Sequence, residues 1–309
     1  MPSLEPQYLQ YSLTTLKKIA DDMHEHYECC RLCPHQCKAN RNAGQKGFCK
    51  AGTQIRLGSA SLHWGEEPPI TGTRGSGTLF FSHCTLHCFY CQNYPLSQLH
   101  YGEMLDEEAL ADRMLRLQKE GAHNLNWVTP TQFLPSSFRA LILAREKGLR
   151  IPIVYNTSGW ECEPVLGWFE YFVDGFLADT RFYTEEVAKE LSRAVDYQKN
   201  NEITLKTIRK QLPEDYFDSE NILQKGVIIR ILMLPHYIDE TVNVIYQLKE
   251  WLGNEVHVSL MSQYFPAYKA FQHPHMRRRI NRKEYNKAVS ALEACGFEKG
   301  WVQPYESES

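Results

Sequence analysis

From Thr78 onward the chain alternates short apolar runs with helix-patterned stretches, and this alternation constrains its fold more than any other feature. Candidate strands lie at 78–82, 124–128, 151–155, 175–178, 226–234 and 256–261. The helices between them carry recognisable ends. Asp106 caps one that closes at Gly121, Ser136 or Ser137 starts one that closes at Gly148, and Asp239 begins one that closes at Gly253. Strands separated by helices are joined by crossovers, which makes the sheet parallel and the class α/β. Six such units ahead of a final helix suit an open, partial (β/α)6-type TIM barrel better than a closed eightfold one. Residues 196–222 are polar and weakly periodic, as an inserted helical excursion would be. Ahead of the alternation, residues 8–27 read as an amphipathic helix through Leu9, Leu13, Leu16, Ile19 and Met23. The expected organisation is an N-terminal helix and cysteine-rich metal-binding segment at 1–76, a barrel core at 77–268 and a helical extension at 269–309.

The first apolar run, Thr78-Leu-Phe-Phe-Ser82, leads into Cys84-Thr-Leu-His-Cys88-Phe-Tyr-Cys91, a C-x3-C-x2-C spacing. In a βα architecture the loops leaving the C-terminal ends of strands build the active site, so these thiols belong at the barrel mouth. Three thiolates on one short loop can hold three corners of a [4Fe–4S] cube and leave the fourth iron without a protein ligand. An open iron can do chemistry, whereas a fully ligated cluster mostly passes electrons. The alternative for the same residues is a structural zinc site with a distant fourth ligand. The loop's position and the aromatic Tyr90 before Cys91 favour the cluster.

A second group, Cys30-x2-Cys33-Pro-x2-Cys37-x11-Cys49, with Cys29 beside it, offers four thiolates from a glycine-containing loop. That set suits zinc or an auxiliary iron–sulfur cluster, and the spacing does not choose between them. Cys162 and Cys295 stand alone and read as buried packing residues. His83 and His87 flank the first loop as neighbours of the ligands rather than as ligands. Ten cysteines at these short spacings in 309 residues favour metal binding in a reducing cytosol over disulfides. Met1-Pro-Ser-Leu-Glu5 has neither the basic nor the apolar region of a signal peptide, so a cytoplasmic location is expected.

No apolar stretch approaches a membrane span, and a net charge of −3 with interspersed signs gives no overall polyanion-binding surface. The exception is Arg277-Arg278-Arg279-Ile-Asn-Arg282-Lys283, which precedes a helical pattern and reads as a solvated helix start. Neither a membrane nor nucleic acid is an expected partner.

Cys84-x3-Cys88-x-Tyr90-Cys91, extended by Gln92-Asn93, resembles the cluster motif of the radical S-adenosylmethionine superfamily. The surrounding Gly65-Glu-Glu-Pro-Pro-Ile-Thr-Gly-Thr-Arg-Gly-Ser-Gly77, Val128-Thr-Pro-Thr131 and Tyr155-Asn-Thr-Ser-Gly159 look like one branch of it, proteins related to pyruvate formate-lyase activating enzymes. The likeness runs roughly from Cys30 to Tyr268. It implies a [4Fe–4S] cluster whose open iron is chelated by the amino and carboxylate groups of S-adenosylmethionine. One electron through that cluster then breaks a carbon–sulfur bond, giving methionine and a 5′-deoxyadenosyl radical that takes hydrogen from a substrate. It also implies a one-electron donor such as flavodoxin or ferredoxin, and it leaves a protein, a peptide or a small metabolite open as substrate.

The strand ends supply candidate cofactor contacts. The superfamily often carries Gly-Gly-Glu after the second strand to hold the methionyl amine, where this chain has Thr129-Pro130-Thr131-Gln132. Carbonyls and the hydroxyls of Thr129 and Thr131 can stand in, or the segment is a plain turn. Asn156, Thr157 and Ser158 after the third strand suit ribose hydroxyls or the methionyl carboxylate, or serve as helix caps. Asp179-Thr-Arg181 after the fourth strand stands where relatives show Asp-Leu-Lys, an acid–base pair suited to a zwitterionic amino acid. Arg230 lies inside the fifth strand's apolar run and needs a carboxylate, either the cofactor's or that of Asp179. Gln263 and Tyr264 after the sixth strand face the substrate or merely finish the strand. The leading expectation is a radical enzyme, with activation of a glycyl-radical protein as one form of it. The alternative is an iron–sulfur or zinc protein that carries electrons or scaffolds a complex without turning over the cofactor.

Overall fold

The computed structural model describes residues 4–305. Among them the strands are β1 (Ile55–His63), β2 (Ser76–Phe81), β3 (Glu103–Leu105), β4 (Leu125–Val128), β5 (Ile153–Thr157), β6 (Gly175–Asp179), β7 (Tyr216–Phe217), β8 (Leu223–Leu232), β9 (His257–Met261) and β10 (Gly300–Val302). The helices are α1 (Leu13–Glu25), α2 (Pro68–Thr71), α3 (Tyr94–Ser97), α4 (Glu107–Lys119), α5 (Leu134–Glu146), α6 (Val165–Trp168), α7 (Glu185–Ser192), α8 (Tyr197–Gln211), α9 (Ile238–Leu252) and α10 (Arg282–Ala294).

All six expected strands form, and they lie side by side in chain order as β2, β4, β5, β6, β8 and β9, each pair parallel. Neighbours in space that are also successive in sequence mark a singly wound barrel, because a doubly wound sheet reverses direction at its middle. The sheet does not close. Its spatial order runs β10-β9-β8-β6-β5-β4-β2-β1-β3, with β7 pairing β8 off this path. The fold is an open, partial TIM barrel of class α/β.

Four strands went unforeseen. β1 and β3 extend the sheet antiparallel beyond β2, β7 pairs antiparallel with β8, and β10 adds a parallel strand beside β9. Their sequences explain the omission, since β1 reads Ile-Arg-Leu-Gly-Ser-Ala-Ser-Leu-His and is mostly half-buried, while β3, β7 and β10 have three residues or fewer. The expected helix at 8–27 starts later, at α1, where the Ser12 side chain accepts from Thr15 N at 3.0 Å. Asp106 caps α4 by accepting from Ala109 N at 2.8 Å, and α4 ends before Gly121, whose φ of +93° suits glycine. The polar stretch at 196–222 forms α8 and then β7.

Side chains alternate along each strand. One face of β5, β6 and β8 carries Tyr155, Phe176 and Ile229 into the main core beneath the helices. The other face is stratified. Val154, Leu177 and Ile228 meet Ile70 of α2 in an apolar floor inside the barrel. Two residues further along the same strands come Asn156, Asp179 and Arg230, a polar layer directly above it. The connection from β1 to β2 thus plugs the barrel interior with α2 and leaves a chamber open toward the C-terminal strand ends.

Candidate active site

That chamber is a cavity of about 320 Å³. Cys84, Cys88 and Cys91 line it together with Thr129, Asn156, Ser158, Asp179, Arg181 and Arg230. The cysteine loop leaves β2 through Ser82 and His83, whose φ is +64°, and then runs with alternate residues facing opposite ways. Cys84, Leu86 and Cys88 face the cavity. On the other side His83 Nδ1 lies 2.8 Å from Cys49 O, Thr85 O lies 3.1 Å from His35 Nε2, and the His87 ring lies 4.2 Å from that of Phe48.

Each of the three sulfurs has a polar neighbour. Leu86 N donates to Cys84 Sγ at 3.4 Å, Arg181 Nη1 donates to Cys88 Sγ at 3.4 Å, and the Ser97 hydroxyl lies 3.2 Å from Cys91 Sγ. Burial pushes the Cys84 thiol up to about 12 and the Cys88 thiol up to about 11, with the neighbouring thiols adding to the first and Arg181 opposing the second. Burial raises Cys91 too. Thiols in this condition hold their protons until a metal replaces them, and the donors around them are those that stabilise ligating thiolates. Among the described residues no three Cys, His, Asp or Glu side chains converge on a single-ion site. The thiolates of a cubane each bind a different iron, so the triad fits such a cluster without that convergence.

The polar layer is a network built around Asp179. Arg230 Nε donates to Asp179 Oδ1 at 2.8 Å and Arg230 Nη2 to Asn156 Oδ1 at 2.6 Å. Arg181 donates to Asp179 Oδ2 through Nε at 3.1 Å and through Nη2. Burial alone would raise the Asp179 carboxyl, but the two guanidiniums outweigh it and hold it below the usual range. Of the two partners open to Arg230 in the sequence, Asp179 is engaged, and Arg181 links that pair to Cys88.

Thr131 and Thr157, also read as cofactor contacts, point elsewhere. Both donate to Glu161, at 2.9 and 2.6 Å, beneath the turn after β5. Tyr264 is buried and donates to Met276 O at 2.7 Å, whereas Gln263 lines the cavity. Glu66 enters the cavity from the β1–β2 connection and escaped notice as a site residue. Its Oε1 accepts from Asn126 Nδ2 at 3.0 Å and its Oε2 lies 3.4 Å from Arg230 Nη1. Burial raises its carboxyl to about 7 against the pull of Arg230. A charged residue in a connection, two places before a pair of prolines, gives no periodic signal, so only the quoted likeness around it could have drawn attention to Glu66.

In the N-terminal group Cys30, Cys33 and Cys49 are buried and Cys37 is exposed. Cys30 N and O pair with Ala39 O and Lys38 N, and a turn from Cys33 O to Gln36 N carries the loop between them. Cys37 Sγ packs onto Gly47, where any Cβ would come within 2.1 Å of it. Cys162 is less isolated than its sequence position suggests, with its Sγ 3.7 Å from Arg31 O between the first two cysteines of the group. Arg41 is buried, donates to Cys49 Sγ at 3.5 Å and to Gln132 O at 2.5 Å, and stacks 5.5 Å from the Tyr27 ring centroid. The basic run at 277–283 starts α10, with Arg278 paired to Glu284 and Asn281 forming a capping box with that same glutamate.

No protein-family model matches the chain. It is 28% identical over 300 residues to the uncharacterized protein MJ0674 of Methanocaldococcus jannaschii, covering 93% of this chain and 80% of that one. It is 23% identical over 265 residues to MJ0808 of the same organism, covering 78% and 71%. Among solved structures, anSMEcpe with bound AdoMet aligns over 69% of this chain and 57% of its own, with a TM-score of 0.46 and 15% identity. The chain therefore spans little more than half of that protein. A mutant of spore photoproduct lyase aligns over 80% of both chains, with a TM-score of 0.51 and 10% identity. What the chain shares with spore photoproduct lyase at that identity is the fold, an open parallel α/β barrel.

Proposed function

We propose that the protein is a radical S-adenosylmethionine enzyme whose catalytic [4Fe–4S] cluster is held by Cys84, Cys88 and Cys91. The observation that carries this reading is the meeting, in one cavity, of three thiols from a single loop with Asn156, Ser158, Asp179, Arg181 and Arg230 from three successive strand ends. When bound, the cluster supplies the electron that splits S-adenosylmethionine into methionine and a 5′-deoxyadenosyl radical, which takes a hydrogen atom from the substrate. The chain's own residues have separate tasks. Arg181 neutralises charge at Cys88 and is itself fixed by Asp179. Asn156, Ser158 and Thr129 offer short polar groups to the cofactor's hydroxyls and carboxylate. The apolar floor of Ile70, Val154, Leu177 and Ile228 excludes water from below, which protects a reactive radical.

The finer reading is activation of a glycyl-radical enzyme of the pyruvate formate-lyase type, with flavodoxin or ferredoxin as electron donor and a cytoplasmic setting. A second metal, zinc or an auxiliary cluster, would be held by Cys30, Cys33, Cys37 and Cys49, although no three of these thiols converge on a single-ion site as they stand. Its support is Arg41, a buried guanidinium that meets a cysteine sulfur and, among the described residues, no carboxylate. A buried cation needs an anion, and metal-bound thiolates provide one.

The test is 5′-deoxyadenosine formation by anaerobically reconstituted protein given S-adenosylmethionine and a strong one-electron reductant, beside Cys88→Ala. Product from the wild type and none from the variant is expected. Undiminished product from Cys88→Ala would reassign the catalytic cluster. A glycine-centred radical on a candidate partner, seen by electron paramagnetic resonance after mixing, would establish the activating role.

A further inference from the structure

The connection from α3 to β3 is pinned against the start of the loop that carries Cys84, Cys88 and Cys91. Ser82 Oγ donates to Tyr101 O, and His83 N donates to Leu96 O at 3.0 Å. A Cβ on Gly102 would lie 2.5 Å from Ser82 Oγ. The His83 and His100 rings stack with centroids 4.0 Å apart and 13° between their planes, and His83 directly precedes Cys84. Around this stack the chain exposes large apolar side chains. Leu99 and Tyr101, on either side of His100, are 46% and 65% exposed, and Met104 is 43% exposed. Exposed apolar side chains that fall together mark interaction surfaces.

The surround of these side chains is positive. Arg56 Nη1 donates to His100 O at 2.9 Å, and its Nε meets Met104 Sδ at 3.0 Å. From the other side His83 Nδ1 lies 2.8 Å from Cys49 O, which brings up Lys50 and Lys46. Both lysines are exposed and have no ion-pair partner among the described residues. Burial lowers the pKa of His100, and Arg56, Lys46 and Lys50 lower it further with no carboxylate opposing them. Glu103, the carboxylate between Tyr101 and Met104, is held by Arg113 at 3.2 Å. On a chain of net charge −3 this is a local reversal of sign.

Electron transfer between proteins slows steeply with distance, so a carrier has to dock where a ligand of the cluster comes near the surface. We propose that Leu99, Tyr101 and Met104, with Lys46, Lys50 and Arg56 around them, form the docking surface for an acidic one-electron carrier protein, and that electrons enter through His100 and His83 beside Cys84. This rests on the radical S-adenosylmethionine reading above and places its reductant. One electron leaves the carrier and one is taken up at the cysteine loop, with no bond made or broken. An apolar centre with a charged rim gives a brief, salt-sensitive encounter, as a carrier that must leave after each electron requires.

The test uses reconstituted protein with an acidic flavodoxin and an acidic ferredoxin. Calorimetry with the oxidised carriers reads binding at several salt concentrations, and stopped-flow absorbance with the reduced carriers reads the rate of cluster reduction. Dithionite, a small reductant that needs no docking surface, is the control. The double variant Lys46→Glu/Lys50→Glu and, outside the cysteine segment, Tyr101→Glu should each bind the carrier about tenfold more weakly and be reduced by it more slowly. Iron content and reduction by dithionite should not change. Rising salt should weaken binding to the wild type and affect the double variant less. If the double variant loses iron, Tyr101→Glu decides. Wild-type affinity and rate in the variants overturn the docking surface and leave the enzyme reading intact. So does a wild type that dithionite reduces and neither carrier binds or reduces. A dithionite rate that falls as far as the carrier rate makes these residues supports of the loop and overturns the surface too. A wild type that loads no cluster at the three cysteines overturns the enzyme reading itself.

Discussion

Asp179 and Glu161 are both buried carboxyls, and their neighbours drive them in opposite directions. Asp179 faces two guanidiniums and stays ionised. Among the described residues the Glu161 carboxyl accepts only from the hydroxyls of Thr131 and Thr157, and burial raises it to about 7. A buried acid with a raised pKa keeps a proton in the folded chain that the unfolded chain releases near pH 4.3. Its contribution to stability is therefore present below that pH and declines as pH rises from about 4.3 to about 7. Glu161→Gln keeps the shape and removes the titration, so it should gain on the wild type across that window, by roughly 4 kcal/mol at most. Urea midpoints measured at several pH values read this directly, and a constant offset between the two proteins would contradict it. Short polar residues at a strand end were legible as chemistry; that two of them hold a glutamate rather than a ligand was not, because Glu161 comes from the next turn.

Elements meet tightly where the turn after β5 passes the end of β6. Gly159 has φ +67°, and a Cβ there would lie 2.0 Å from Asp179 O. Asn201 of α8 stitches the two turns by donating to Gly159 O at 2.8 Å and Asp179 O at 3.1 Å, while accepting from Thr180 Oγ1 at 2.7 Å. The helical excursion between β6 and β8 thus braces the loops that carry Ser158 and Arg181. Gly159→Ala should destabilise by at least about 2 kcal/mol, since neither the backbone angle nor the adjoining carbonyl accepts a side chain. A thermal scan checks this, and an unchanged melting temperature would show that β5 and β6 can part here without loss. The parallel strands were legible because both faces are buried and their sequences are continuously apolar. β10 was not, since a short edge strand needs no such run, and β1, between β2 and β3, was not because most of its positions are small, polar and only half-buried.

Over the whole molecule, the N-terminal cysteine segment packs on the back of the loop that carries Cys84, Cys88 and Cys91. Cys49 O meets His83, and Arg41 joins Cys49 to Gln132, which in turn donates to Ser82 O at 2.9 Å and Thr129 O at 2.8 Å. A metal at this segment would stiffen the loop from behind without touching the cavity. Cys33→Ala should therefore lower the melting temperature and the second metal content while 5′-deoxyadenosine formation persists. Complete loss of product from a folded variant with its catalytic iron intact would instead give the second site a redox role.

The sequence by itself determined the barrel and the cysteine triad. Both are local signals: buried parallel strands write themselves as apolar runs, and three ligands of one cluster fit on one loop. Only the tertiary structure decided which polar residues share the cavity. Arg230, Asp179, Asn156 and Glu66 come from three strands and a connection spread over 165 residues, counting Glu66 to Arg230 inclusively. Which of them face one another depends on strand register and on the α2 plug, and neither is encoded in the spacing of any one segment.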